Sequence, residues 1–532
     1  MSGSIPLAFF SHGAVIGHRP IRLPVGLLPA ARPIGAPAKG SFRRHSNVPR
    51  HAEHVVYSEP VTPAKEVSSF EPCVWGNFFI NYDPKPLQRS EDWMMEKADK
   101  LKLDVRILFE MHNDSAKRMH LVDAVQRLGI DHLFQEEINN AISDIKGSEF
   151  TSSSLHEVAL HFRLLREHGI WVSPDVFKKF KGEDGRFINT IPDEPRALLS
   201  LYNAAHLLIH DEPELEEAMS FARDHLESMR AGGSIKAPLD NQINRALHLP
   251  LSRTCKRVEM LHYMLEYGQE EGHIVVLLDL AKLEFNLMQH VLLKELKAFS
   301  QWWKDLYGYI ELSYARDQYM EKFYRALLND FKEIEAQVET SDKYRVAYMK
   351  TEFQKLSTYY LQEFEWCHQN YKPSFKERVA LSTLSIGVPV LCVTATVGRG
   401  DAVTKESFEL ATGRASAVIA CAKIMRFTND IAAFKSGRKN EGDATNTVEC
   451  YMNEHKVKSK VALAMIESMI ESEWRTLNQV RCDYHQQFPV VQRVINLAIS
   501  VLFFYDEKKD AYTFSKHLQE IVGSLFVNPI PL

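Results

Sequence analysis

Helical periodicity is the feature that most narrows the fold of this 532-residue chain. From about Phe70 onward, apolar residues recur every three to four positions, which places them on one face of an α-helix. Residues 275–303 form the longest such segment, and residues 156–169 and 212–229 repeat the pattern, the former ending at Gly169. No alternating apolar–polar segment of any length competes with these, so the sequence predicts an all-α fold.

A polar, glycine-containing break at residues 265–273 separates two helical blocks and predicts a domain boundary. The uncharged run at residues 379–397 in the second block is long enough to span a membrane. It contains several hydroxyl side chains together with Gly387 and Pro389, and no second run of membrane-spanning length accompanies it. We therefore expect a buried central helix that is kinked near Gly387, and no membrane span.

The first 52 residues differ from the rest of the chain, since they contain seven Lys or Arg, seven Pro and no Asp or Glu. Such basic, acid-free composition is typical of organelle transit peptides. We interpret residues 1–55 as a transit peptide or disordered segment and expect the protein in plastids. The alternative is a disordered tail without an address, which would leave the protein in the cytoplasm.

Charge and cysteine usage exclude several other classes of protein. The formal net charge of −5 provides no basic surface, so we expect no nucleic-acid partner. The seven cysteines are scattered and contain no Cys-x-x-Cys pair. This pattern indicates reduced thiols, and it argues against both a zinc site and a disulfide framework.

A set of short segments, spread in order over residues 70–532, resembles one known family. The segments are FEPCVWGNFF (70–79), LYNAAHLLIHDEPELEEAMSFARDHL (201–226), LAKLEFNLMQ (280–289), WWKDL (302–306), RFTND (426–430), VECYMNEH (448–455) and YDEKKDAYTF (505–514). Together they resemble the plant terpene synthases of the mono- and sesquiterpene type. A match that keeps its order over most of the chain is far more specific than any single motif.

The resemblance implies two helical domains, an N-terminal α-barrel-like domain over residues 70–268 and a C-terminal class I terpenoid synthase domain over residues 273–532. It also implies a monomer that uses Mg²⁺ or Mn²⁺ to ionise and cyclise a prenyl diphosphate, either geranyl or farnesyl diphosphate. The lack of an Asp-x-Asp-Asp motif argues against the protonation-initiated branch of the family. Lys65 and Glu66 stand where many monoterpene synthases carry paired arginines, which argues against a monoterpene product.

Six positions match functional residues of the family. Three match residues that bind the diphosphate of the substrate: Arg316, Arg426 and Asn429, the last of which also matches a metal ligand. Three match residues that line the mouth and wall of the catalytic cavity, so the resemblance implies catalytic roles for them: Tyr505, Asp510 and Tyr512. The alternative roles are structural: ion pairing for the arginines, a helix surface for the asparagine, and packing for the tyrosines.

The metal-binding motifs of the family are incomplete in this chain. The family places oxygen ligands for Mg²⁺ at positions i, i+4 and i+8 of one helix, which lie on one face. These positions are Asn429, Ala433 and Gly437 here, so one ligand of three remains. The second motif needs an Asp-Asp pair, and none occurs anywhere in the sequence.

A block of several helices is predicted to be missing from the C-terminal domain. Gln318 replaces a second family arginine beyond Arg316, and residues 323–335 resemble a family segment that normally lies well after the Asp-Asp motif. We therefore predict a deletion with its join near residues 319–323, and an inactive or strongly impaired terpene synthase homologue. One alternative is an active synthase seen here as an incomplete splice form or gene model. The other is a non-catalytic helical binding protein.

Overall fold

The structure, a computed structural model, describes residues 74–83, 88–112, 114–147, 150–183, 185–187, 194–311, 316–398, 403–413, 415–437 and 446–532. The regular structure in these ranges is helical, and the one β-type contact among them is an isolated bridge between Lys181 and Phe187. The predicted all-α class is confirmed. The segment interpreted as a transit peptide, residues 1–55, lies outside the described residues.

The α-helices are numbered in chain order. They are α1 (Phe78–Asn81), α2 (Glu91–Met111), α3 (Ser115–Arg127), α4 (Gln135–Gly147), α5 (Leu155–Glu167), α6 (Pro195–Ala205), α7 (Pro213–Ala231), α8 (Leu239–His248), α9 (Lys256–Tyr267), α10 (Val275–Glu311), α11 (Arg316–Gln337), α12 (Lys343–His368), α13 (Phe375–Ser385), α14 (Val388–Val397), α15 (Lys405–Glu409), α16 (Ser416–Ser436), α17 (Thr447–His455), α18 (Ser459–Asp483), α19 (Phe488–Phe504) and α20 (Gln519–Phe526). Three predicted segments are confirmed as helices, since residues 156–169, 212–229 and 275–303 correspond to α5, α7 and α10.

Helix α5 ends where a glycine is required. Gly169 follows the helix with φ of 74°, in the left-handed region that favours glycine. A Cβ atom there would lie 2.5 Å from the carbonyl oxygen of Arg481 in α18. Gly169, which the sequence identified as the end of the helix, therefore also permits close contact between α5 and α18.

A buried ion pair joins α5 to the start of α7. Arg166 is 1% exposed, and its guanidinium contacts both carboxylate oxygens of Glu212, with Nη1 donating to Oε2 at 2.7 Å. The same guanidinium donates to the carbonyl oxygens of Val172 and Leu207 at 2.6 and 3.1 Å. Glu212 Oε2 also accepts from the backbone N–H of Ile209 at 2.9 Å. Both charges are thus satisfied inside the N-terminal helices.

Helix α10 connects two separate apolar cores. Its first half, including Leu280 and Phe285, packs into the cluster formed by α2, α3, α4 and α9. Its second half, including Leu292 and Leu296, packs with Trp75 and with the C-terminal residues that follow α19. The helix extends to Glu311, eight residues beyond the predicted segment. One long element, which begins just after the predicted boundary at residues 265–273, therefore packs both against helices that precede the boundary and against the C-terminal half.

The apolar run at residues 379–397 is divided into two helices. Gly387 has φ of 86° and separates α13 from α14, and Pro389 lies at the start of α14. Among the described residues, 375–397 is the one stretch long and apolar enough to cross a membrane, yet 56% of its most apolar window is buried inside the protein. Helix α14 packs against α12, α16 and α19. The predicted kinked, buried central helix is confirmed.

Polar side chains tie the two halves of the chain together. Arg253, after α8, donates from both terminal nitrogens to the carboxylate of Glu471 in α18, each at 2.7 Å. Asn478 Nδ2, also in α18, donates to the carbonyl oxygens of His206 and Leu208 at 3.1 and 2.9 Å. Helix α18 in turn packs along α16, which carries the candidate site.

Candidate functional site

Arg426, in the middle of α16, is the cation of the candidate site. Its side chain is 14% exposed. Nε donates to the carbonyl oxygen of Ser382 in α13 at 3.2 Å, and Nη1 lies 3.4 Å from Asn429 Oδ1 and 3.3 Å from Asp430 Oδ1. The i+3 and i+4 spacing on one helix brings these three side chains together. The guanidinium is therefore held by its own helix and by the end of α13.

Asn429 connects α16 to the segment that follows α19. Its Nδ2 donates to the hydroxyl oxygen of Tyr505 at 2.8 Å. Tyr505 is the C-cap residue of α19 and is 5% exposed. Burial raises the pKa of the Tyr505 phenol, with further contributions from Asp510 and Tyr512, while the Asn429 hydrogen bond and Arg426 oppose the shift. Tyr505 is therefore a neutral phenol at physiological pH.

Asp430 has a structural role. It is 3% exposed, and its Oδ2 accepts from the backbone N–H of Thr447 at 2.8 Å. Thr447 is the first residue of α17, where N–H groups are not used within the helix. Asp430 thus neutralises Arg426 with one oxygen and anchors the start of α17 with the other.

The residues after α19 form a compact turn around Asp510. Asp510 is 8% exposed, its Oδ1 accepts from the backbone N–H of Tyr512 at 2.9 Å, and its Oδ2 accepts from the Thr513 hydroxyl. The Tyr512 ring lies 5.1 Å from Phe504 and 6.0 Å from Tyr505, measured between ring centroids. Burial and the nearby Asp510 raise the pKa of Tyr512. The turn therefore presents an aromatic wall beside Asn429.

The first described residues of the chain pack against this turn. Val74 donates its backbone N–H to Ser515 Oγ at 3.1 Å. Trp75 is 6% exposed, stacks on Phe79 at 5.4 Å, and belongs to the same apolar cluster as Tyr505. The quoted segment 70–79 therefore contributes, from its described residues, to the support of the aromatic wall.

Tyr360 interacts electrostatically with Arg426, and no motif in the sequence identifies it. It lies in α12 and is about half exposed, and its pKa is raised by partial burial and by Glu363 and lowered by Arg426. Glu363 Oε1 accepts from Arg378 Nη1 at 3.0 Å and from Ser385 Oγ at 2.9 Å. Only the tertiary structure brings residues of α12 and α13 beside α16, so spacing along the sequence carries no signal for them.

The remaining predicted residue, Arg316, is the first residue of α11. Its side chain lies outside the described part of the structure, so its predicted contact with a diphosphate stays a prediction. Of the six predicted site residues, the structure places Arg426, Asn429 and Tyr505 in one connected chain of hydrogen bonds. Asp510 and Tyr512 adjoin that chain through the turn after α19.

Among the three ligand positions, only Asn429 offers Mg²⁺ a side-chain oxygen. Asn429 Oδ1 faces the Arg426 guanidinium, and Ala433 has no oxygen in its side chain. The i+8 spacing predicted Gly437 on the same helix face, but α16 ends at Ser436, and Gly437 is its C-cap with φ of 66° in the left-handed region. Among the described residues, no three His, Cys, Asp or Glu side chains form a cluster that could hold a metal.

These groups are better suited to binding an anion than to stabilising additional negative charge that develops on it during a reaction. A single fixed cation, an amide and a neutral phenol provide hydrogen-bond donors for phosphate or carboxylate oxygens. The aromatic rings of Phe504, Tyr505 and Tyr512 provide an apolar surface beside these donors. Asp430 already neutralises much of the Arg426 charge, so little positive charge remains to stabilise further negative charge on a bound group.

Comparison with known families and proteins gives consistent matches over both halves. Residues 74–247 match the family model described as the terpene synthase N-terminal domain, and residues 293–476 match the terpene synthase metal binding domain. Alpha-copaene synthase from Zea mays is 44% identical, with 86% of this chain and 99% of that protein aligned. Tau-cadinol synthase from Zea mays is 42% identical, with 87% of this chain and 98% of that protein aligned.

A solved structure shows the same architecture. Isoprene synthase from grey poplar leaves (Populus x canescens), in complex with three Mg²⁺ ions and dimethylallyl-S-thiolodiphosphate, superposes with a TM-score of 0.73 at 26% identity. The match covers 82% of this chain and 98% of that chain. The predicted arrangement of terpenoid synthase helices is thereby confirmed at the level of the fold.

Proposed function

The chain belongs to the terpene synthase family, and from that premise we propose that it binds a prenyl diphosphate but ionises it very slowly or not at all. In the family reaction the bond between the allylic carbon and the diphosphate oxygen breaks, and the electron pair leaves with the diphosphate. The negative charge that develops on the leaving group must be stabilised, and in this family divalent metal ions supply most of that stabilisation.

The observation that carries this proposal is the set of side chains at the three ligand positions of α16. Only Asn429 presents an oxygen, and that oxygen lies 3.4 Å from a guanidinium nitrogen. Ala433 is apolar, and Gly437 terminates the helix. A metal ion would therefore meet one amide oxygen beside a cation, which is unlike the oxygen-rich surroundings that Mg²⁺ prefers.

The extent of the alignments supports a missing block. The alignment with alpha-copaene synthase is 537 positions long, but only 86% of the 532 residues of this chain take part in it. The alignment therefore contains positions that are filled only in the relative. Alpha-copaene synthase therefore contains residues that have no counterpart in this chain. Together with the absence of any Asp-Asp pair from the sequence, this supports a deletion near residues 319–323, at the start of α11.

The residues that remain have roles in binding and orientation. Arg426 is a permanent cation that can donate to diphosphate oxygens through its free N–H groups. Asn429 and Tyr505 form a fixed donor–acceptor pair beside it, and the rings of Tyr512 and Phe504 offer an apolar wall for a hydrocarbon chain. These contacts bind the ground state and the transition state about equally, so they do not by themselves speed the chemistry.

Farnesyl diphosphate, with fifteen carbons, is the substrate that we propose to bind. The two Zea mays relatives are sesquiterpene synthases, and they share over 40% of the aligned residues with this chain. A plastid address would instead favour a ten- or twenty-carbon diphosphate. We give the relatives more weight, because sequence identity over the whole fold includes the residues that form the substrate cavity. The prediction of a plastid location rests only on the composition of the N-terminal segment.

Two experiments test the proposal against its alternatives. The purified protein, incubated with farnesyl diphosphate and Mg²⁺, should form no terpene. Sequencing of transcripts across the codons for residues 319–323 separates the impaired protein from an incomplete splice form or gene model. A transcript that restores an Asp-Asp-x-x-Asp motif would support an active synthase, and uniform transcripts without it would support the impaired protein or a non-catalytic binding protein.

We also propose that the N-terminal segment directs the protein to plastids. Residues 1–60 fused to a fluorescent reporter should accumulate in plastids, because the first 52 residues are basic and acid-free. The matched control replaces Arg43, Arg44 and Arg50 by Glu, which should abolish import. Fluorescence spread through the cytoplasm for the unaltered fusion would contradict the proposal and would strengthen the fifteen-carbon assignment.

A further inference from the structure

The antiparallel pair α11–α12 has an apolar face that is buried at one end and exposed at the other. Phe331 of α11 and Phe353 of α12 meet with ring centroids 5.3 Å apart, and Glu335 pairs with Lys350 at 2.6 Å. Phe331 is 7% exposed and belongs to the C-terminal core. At this end, the two helices are covered by the rest of the protein.

The same helix faces continue beyond the Phe331–Phe353 contact without cover. Tyr324 lies seven residues before Phe331, and Tyr360 lies seven residues after Phe353, which is two helical turns in each case. Tyr324 is 60% exposed and Tyr360 is 53% exposed. Because the helices are antiparallel, both exposed positions lie at the same end of the pair, ~10 Å beyond the buried contact.

Further apolar side chains extend this exposed end, which we name the α11–α12 face. Its members are large apolar residues between 40% and 66% exposed: Phe323, Tyr324, Leu328, Tyr360, Leu361 and Phe364. An aromatic side chain can bury ~150–250 Å², so the exposed parts of these six side chains amount to roughly 600 Å². This is at the upper limit of the apolar patches that monomeric proteins expose.

We propose that the α11–α12 face is the contact surface of a homodimer, in which it packs against the same face of a second copy of this chain. The inference goes beyond the proposed function and rests on one part of it, the deletion near residues 319–323, which directly precedes the face. It replaces the monomer expected from the family resemblance.

The size of the face is one reason to choose a second copy as its occupant. A standard interface buries ~800 Å² on each partner, and the apolar part of this face alone approaches that area. Two helices from each copy would form a four-helix arrangement, a common way to bury such faces. A two-fold contact of a surface with itself also closes, so it yields a dimer in which both copies of this face are buried.

The charges around the face are a second reason. Glu321 and Arg325 of α11 pair with each other at 2.7 Å, and Glu363 of α12 pairs with Arg378 at 3.0 Å. These two acidic side chains are therefore neutralised within one copy, which lowers the like-charge repulsion that they would cause in a symmetric contact.

Sedimentation equilibrium of the full chain tests the proposal. The wild-type protein should show a reversible equilibrium between the 61.1 kDa chain and a species of twice that mass. Phe364→Glu places a charge in both halves of the symmetric contact and should weaken dimerisation by ~100-fold or more. Tyr324→Lys, on the other helix, should do the same, and circular dichroism should show an unchanged helix content for both variants.

The matched control is Leu103→Glu, which alters an apolar residue of α2 that is 58% exposed and lies outside the face. This variant should dimerise like the wild-type protein. A single 61.1 kDa species at all concentrations would overturn the proposal, as would dimers that Phe364→Glu and Tyr324→Lys leave intact. A wild-type protein that stays monomeric alone but pairs with an intact terpene synthase would also overturn it and assign the face to that partner.

Discussion

Purified full-length protein incubated with Mg²⁺ and with prenyl diphosphates of ten, fifteen or twenty carbons should form no detectable terpene. The described residues lack two of three ligands on α16, and the sequence lacks the opposing Asp-Asp pair. If the lost stabilisation of the leaving group amounts to ~7 kcal/mol, the rate falls about 10⁵-fold. Product analysis by gas chromatography and mass spectrometry, with alpha-copaene synthase as positive control, measures the difference.

Repair variants separate the causes of this loss. Ala433→Ser with Gly437→Glu restores oxygen side chains at two ligand positions but leaves the second motif absent, so no activity should return. Insertion of the unmatched segment of alpha-copaene synthase at residues 319–323, combined with both substitutions, should restore terpene formation. Ser436→Ala with the same insertion is the matched control and should stay inactive. Normal turnover by the unaltered chain would refute the impaired-enzyme proposal.

The Glu212→Gln variant should lose ~3–5 kcal/mol of unfolding free energy, because it leaves the cation of Arg166 buried without a counter-charge. Arg166 is 1% exposed, and carbonyl oxygens cannot replace a carboxylate as its partner. For the N-terminal helices this corresponds to a fall in melting temperature of about 10 °C. Thermal unfolding followed by circular dichroism, together with chemical denaturation, measures both quantities.

Two further variants show whether burial causes the effect of Glu212→Gln. The double variant Arg166→Met/Glu212→Leu removes both charges and should recover most of the lost stability, since no unpaired charge remains. Glu227→Gln breaks the exposed pair with Arg223, whose side chains are 40% and 55% exposed, and should change stability little. Equal losses from Glu212→Gln and Glu227→Gln would contradict the argument from burial.

The helices were predictable because their signal is local. The apolar spacing at residues 156–169 and 212–229 predicts α5 and α7, and Gly387 predicts the break between α13 and α14. Each of these features depends on residues a few positions apart, so the sequence contains the whole cause. The order of the quoted segments likewise predicted the family, which the matches over residues 74–247 and 293–476 then showed.

The candidate site was predictable only in part. Arg426 and Asn429 were identified by their place in the RFTND segment, and the i+4 spacing of Arg426 and Asp430 could have predicted their ion pair. The bond from Asn429 to Tyr505 joins residues 76 positions apart, and no spacing rule indicates it. The same holds for Ser382, which α13 brings beside Arg426.

The sequence by itself determined the fold class, the family and the loss of ligand side chains, because residue identity and short-range periodicity decide all three. Tertiary structure decided where the remaining polar groups are used. Asp430 binds the start of α17, and Gly437 caps α16. Both residues therefore have structural roles, although one adjoins a ligand position of the family motif and the other occupies one. Tertiary structure also left the α11–α12 face exposed, because a helix has an apolar face whether or not another element packs against it. Burial of that face depends on which distant segments are present to cover it, and the apolar periodicity of the sequence does not predict which segments these are.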